Sequence, residues 1–170
     1  MLVIIWNQKL TVRMDNRLIV ALDFDDLGQV TQTVRELSGF VSWFKVGKQL
    51  FTSIGPCIVE QLCGAEKSVF LDLKFHDIPN TVGGAVASAV AIGAHMINIH
   101  ASGGIEMMKT ANRSAEEVSD KLGISKPKLL GVTVLTSMNQ STFQGDFASS
   151  RTLSEQVAYL AVCAQEAGLD

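Results

Sequence analysis

Five times along this chain a short apolar run, rich in β-branched or aromatic residues, is followed by a stretch with helical spacing. The runs cover positions 17–23, 43–46, 68–71, 96–100 and 129–135. Runs of this length with little polar alternation are expected of parallel strands covered on both faces. Between the first two, Asp25 or Asp26 can cap a helix carrying Leu27, Val30, Val34 and Leu37 at helical intervals, with Gly39 as its stop. Helical character follows over 49–53 and 57–63, then from about Pro79 to Ile92, over 105–122 with Gly123 as terminator, and over about 153–167 before Gly168. The polar stretch leading to Ser150 reads as a loop. Residues 1–16 show no periodicity and are set apart as an N-terminal extension, leaving 17–170 as one domain. Strict alternation of this kind predicts an α/β fold with a parallel sheet and right-handed crossovers, and ligands bound beyond the carboxyl ends of its strands.

Composition removes several classes of function. The chain has 170 residues, 47% hydrophobic and 18% charged, with formal net charge −3, and its lysines and arginines are scattered. No basic patch is available for a nucleic-acid backbone. The apolar run from Leu2 to Trp6 is far too short to span a bilayer, and no cationic leader or cleavage site flanks it, so a cytoplasmic protein without membrane contact is expected. Cys57, Cys63 and Cys163 are odd in number and lack C-x-x-C spacing, which favours buried free thiols over a metal or redox site.

The polar residues fall at the strand ends: Asp23, Lys45, Asp72 with Lys74, His100, and Thr136 with Ser137. Asp72 and Lys74 lie two apart, so in an extended strand they project from one face about 7 Å apart along the chain. Asp77 lies beyond them in a loop, and Pro79 suits the first turn of the next helix. A solvated salt bridge at a strand end would use the same residue types. Lysines and aspartates at the ends of apolar strands are costly to bury unless paired, however, and a convergent acid–base cluster pairs them. The pattern therefore favours a site at one mouth of the sheet.

The decapeptide from Asp72 to Thr81 resembles the signature of the orotidine 5′-phosphate decarboxylase family. Val20-Ala21-Leu22-Asp23, Phe44-Lys45-Val46-Gly47-Lys48, Phe51 through Gly55-Pro56, His100-Ala101-Ser102-Gly103-Gly104 and Val134-Leu135-Thr136-Ser137-Met138 resemble its bacterial form, in the right order across 17–170. The resemblance implies a (β/α)8 TIM barrel, acting as a homodimer, that converts orotidine 5′-monophosphate to UMP and CO2 without a metal or an organic cofactor. It implies that Asp72 sits beside the departing carboxylate and Lys74 delivers a proton to C6. Lys45 would hold Asp72 ionised and reach the ribose, and Asp23 would bind a ribose hydroxyl. Asp77 and Thr81 would reach into the partner subunit's site, and Thr136 or Ser137 would contact the pyrimidine. His76 and His100 are expected to be structural.

Length departs from that family. A closed barrel takes about 250 residues, and five βα units cannot close eight strands. An incomplete barrel is expected, with exposed sheet edges, no phosphate-gripping C-terminal part, and little or no activity by itself. Two alternatives stand beside this expectation. One is a magnesium-dependent sugar-phosphate decarboxylase of the same superfamily, which shares D-x-K-x-x-D but carries a glutamate near the position of Lys45. The other is a non-catalytic fragment.

Overall fold

In a computed structural model of the chain, which describes residues 17–170, five parallel strands stand in strictly sequential order. They are β1 (Ile19–Ala21), β2 (Trp43–Gly47), β3 (Ser68–Phe75), β4 (Met96–His100) and β5 (Lys128–Val132). The helices are α1 (Leu27–Leu37), α2 (Lys48–Ile54), α3 (Cys57–Gly64), α4 (Pro79–Ala91), α5 (Ile105–Leu122), α6 (Gln140–Asp146) and α7 (Leu153–Glu166). Each strand pairs only with its neighbours along the chain. That is the order of a barrel wall, whereas a doubly wound sheet reverses direction at a switch point. The N-terminal extension, 1–16, lies outside the described residues.

Local sequence explains most boundaries. Asp26 caps α1 by accepting from the Gln29 amide at 2.9 Å, and Gly123 closes α5 in the left-handed conformation at φ 66°. On β2, Phe44 and Val46 are fully buried while Trp43 and Lys45 are half-buried. The apolar set packs into one cluster with Val69, Leu71, Ile97, Ile99 and Leu129 from the other strands and Val30, Leu50, Val86 and Met107 from the helices. Alternation thus leaves the lysine on the face turned away from this cluster. At Gly131 a β-carbon would lie 2.8 Å from that of Ala164, so a bare backbone lets α7 close on β5.

The structure corrects the sequence expectations in five places. Strand β1 shrinks to three residues, β3 continues through Phe75 instead of stopping at Leu71, and β5 ends at Val132, leaving Thr136 and Ser137 in a following turn. The expected loop before Ser150 contains α6, capped by Asn139 accepting from the Thr142 amide at 2.9 Å and anchored by buried Phe143. Among the thiols, Cys163 is buried, Cys63 half-buried and Cys57 exposed, all three free. At the outer edge of β5 the Asp170 amide donates to the Leu129 carbonyl at 2.9 Å, and the Asp170 carboxylate accepts from the Leu129 amide at 3.0 Å. At the opposite edge the apolar Leu18, just before β1, and Ile19, its first residue, stand exposed.

Candidate active site

Lys45 is the hub. From β2 its ammonium meets Asp23 Oδ1 at 2.7 Å and Asp72 Oδ2 at 3.7 Å. Asp23 is carried alongside because the chain leaving β1 stays bonded to β2, the Leu22 amide donating to the Lys45 carbonyl at 3.0 Å. Gly47 makes room for the pair: a β-carbon there would stand 2.9 Å from Lys45 Nζ and 3.4 Å from Asp23 Oδ1.

Strand β3 reaches the same point by an irregular route. Leu71 pairs with Ile97 and Phe75 with Ile99, so four steps along β3 match two along β4. The excess is taken up in a bulge in which Lys74 adopts a left-handed backbone, φ 52°. Lys74 Nζ then contacts Asp72 Oδ1 at 2.5 Å. The expected side-by-side projection from a regular strand is thus corrected: the bulge, not simple alternation, brings ammonium and carboxylate together.

Asn98, from the middle of β4, completes the arrangement. Its amide nitrogen donates to Asp72 Oδ1 at 2.6 Å, and its carbonyl accepts from the Lys74 backbone amide at 2.8 Å. The sequence reading passed over this residue. A signal was present, since Asn98 is the one amide inside the apolar run of β4.

The result is a row alternating in sign, Asp23–Lys45–Asp72–Lys74, with side-chain exposures of 64, 19, 14 and 28%. Burial by itself would raise the Asp72 pKa. The hydrogen bonds from Lys74 and Asn98, then the charges of Lys74 and Lys45, outweigh it and hold the carboxyl below the ordinary aspartate value of 3.8. An ionised carboxylate therefore sits between two ammonium groups. A developing negative charge at this mouth would find a fixed cation and a proton donor in Lys74, and an incoming carboxylate would meet repulsion from Asp72.

The remaining expected site residues do not join this row. Asp77 is exposed, and its Oδ1 accepts from the Ile78 amide at 2.6 Å. Thr81 is exposed in the first turn of α4, and Thr136 and Ser137 are exposed after β5. Among the described residues, none of these four bonds to the row. His76 and His100 approach with ring centroids 5.3 Å apart. Burial, then His76, Lys48 and Lys74, push His100 below the ordinary histidine value, so it is neutral at pH 7. A cavity of about 670 Å³ opens at the other end of the sheet, lined by the first residues of β2, β3 and β5, and touches none of the row. Among the described residues no group of three or more His, Cys, Asp or Glu side chains is placed to hold a metal ion, and no helix is long and apolar enough to cross a membrane.

Comparison with known proteins supplies the family. The model of the orotidine 5′-phosphate decarboxylase / HUMPS family matches residues 16–170. The orotidine 5′-phosphate decarboxylase of Pseudoalteromonas translucida is 46% identical over 154 residues, 91% of this chain and 64% of its own length. That of Legionella pneumophila strain Paris is 48% identical over 160 residues, 92% of this chain and 66% of its own. The crystal structure of orotidine 5′-phosphate decarboxylase from Lactobacillus acidophilus superposes with a TM-score of 0.84 at 34% identity, covering 92% of this chain and 70% of that one. The chain thus spans a little under two thirds of the length of these two curated relatives. With a sequential parallel sheet and a charged row at its carboxyl end, it belongs to the orotidine 5′-phosphate decarboxylase / HUMPS family.

Proposed function

We propose that the row Asp23–Lys45–Asp72–Lys74 binds orotidine 5′-monophosphate and removes its carboxylate, giving UMP and CO2, as part of a cytoplasmic enzyme of pyrimidine nucleotide synthesis. The observation that carries this reading is the ionised Asp72 held between Lys45 and Lys74. Asp72 destabilises the bound substrate carboxylate, and that repulsion ends as neutral CO2 departs. Lys74 stabilises the carbanion left at C6 and then protonates it, while Lys45 and Asp23 hold the ribose. Thr136 or Ser137 contacts the pyrimidine from the turn after β5.

Asp77 and Thr81 serve the site of a second copy in a homodimer. Their exposure, on either side of Ile78 at 66%, supports a protein contact there. Residues 17–170 act as one unit of an incomplete barrel. A magnesium-dependent reaction is disfavoured because the Lys45 ammonium stands between Asp23 and Asp72, where a metal ion would have to sit.

The test is release of CO2 from carboxyl-labelled orotidine 5′-monophosphate by the 170-residue chain, with Lys74→Ala as background. We expect slow release, insensitive to a chelator and abolished in the variant, at a rate per site far below that of a relative of full length. Release unaffected by Lys74→Ala would remove the proposal.

A further inference from the structure

The bulge in β3 leaves a specific problem of bonding. With Leu71 paired to Ile97 and Phe75 to Ile99, the Lys74 amide has no rung on the β4 backbone. A buried donor left without an acceptor is strongly disfavoured, and a lysine at positive φ is uncommon. One side chain answers both needs. Asn98 is 4% exposed, flanked along β4 by buried Ile97 and Ile99, and its carbonyl takes the place of the absent rung. An amide N–H can only donate, so the atom facing Lys74 must be oxygen, and the Asn98 NH2 is then obliged to face Asp72. Asp72 Oδ1 is fixed by Asn98 and Lys74 together, which turns Oδ2 toward Lys45.

We propose that Asn98 is a positioning residue, locking the Lys74 backbone in its left-handed turn and orienting Asp72 so that its two oxygens address different lysines. What this positioning is for rests on the decarboxylase reading; the positioning itself does not. Aspartate at 98 keeps an acceptor for the Lys74 amide and sets a second carboxylate against Asp72 in place of the donor. Leucine, of similar size, loses both.

Both variants can be examined in the 170-residue chain by carbon NMR of the Asp72 carboxyl and by hydrogen exchange of the Lys74 amide. Asn98→Asp should raise the Asp72 midpoint by more than about one pH unit, since two carboxylates then share the site, while Lys74 exchange stays within about twofold of the parent. Asn98→Leu should raise the midpoint and speed Lys74 exchange by about tenfold or more. Should Asn98→Leu fail to fold, Asn98→Asp decides alone. Lys74 exchange speeded tenfold in folded Asn98→Asp, where the acceptor is kept, overturns the proposal and leaves Asn98 an ordinary core residue. Where the parent chain releases CO2, Asn98→Asp should lower kcat with KM nearly unchanged. The exchange and titration measurements judge Asn98 whether or not the parent releases CO2, so the positioning and the decarboxylase reading stand or fall separately.

Discussion

Replacing Asp72 by asparagine separates the charge of the row from its shape. The amide keeps an acceptor for Asn98 and Lys74 but removes the carboxylate between two ammonium groups. At an effective dielectric of about 20, the 2.5 Å contact with Lys74 corresponds to roughly 7 kcal/mol of attraction and the 3.7 Å contact with Lys45 to roughly 4. Desolvation of the three groups offsets most of this, and breaking a buried pair typically costs about 3–5 kcal/mol net. Side-chain exposures of 14–28% and the hydrogen bonds that survive reduce the expected loss to about 2–3 kcal/mol. For a chain of this size that is a fall in Tm of about 4–12 °C.

Urea titrations of parent and variant across pH supply the decisive comparison. The Asp72 pKa is lowered on folding, so its contribution is present above the unfolded value and is lost as pH falls through the folded one. The gap between the two proteins should be constant near neutrality and close at pH values below 3.8. Equal stability at pH 7, or a gap that persists undiminished through the acid range, would refute the assignment of Asp72 as a stabilised carboxylate.

Two further substitutions probe neighbouring features. Gly47 has ordinary extended backbone, φ −92° and ψ 179°, so Gly47→Ala strains nothing locally and its methyl group pushes against the movable end of Lys45. Stability should change by only about 1 kcal/mol, because the added methyl meets the end of a flexible side chain, while kcat/KM for decarboxylation falls; unaltered turnover would show that Lys45 need not sit against Asp23. Asn139→Ala removes the cap of α6 and should cost about 1 kcal/mol in a urea titration, with faster exchange at the Thr142 amide. Unchanged exchange there would mean that Phe143, not the cap, holds the helix.

Much of the fold was legible because parallel strands and amphipathic helices write their periods directly into the residues. Strand β4 and helix α5 have the boundaries read from sequence, and Asp26 and Gly123 punctuate as their chemistry requires. The four charges were also legible, as polar residues closing apolar runs. Their connections were not, because a period of two assumes a regular strand, and β3 departs from one at Lys74. Asn98 escaped notice for a related reason: attention to strand ends misses a polar group in a strand's middle, where its meaning depends on what the neighbouring strand does. Helix α6 was hidden by its polarity, since one buried aromatic, Phe143, is too little for an amphipathic pattern. Cys57 was expected to be buried on residue type alone, although its place at the start of α3 leaves it in solvent.

The sequential order of the strands bears on how the protein is made. Each of the five described strands pairs one βα unit away, so this part of the sheet can form as the chain emerges. Asp23, Lys45, Asp72, Lys74 and Asn98 all belong to the first four strands or the turns that leave them. On the ribosome, the charged row could therefore assemble before α5, β5 and the last two helices have been synthesised.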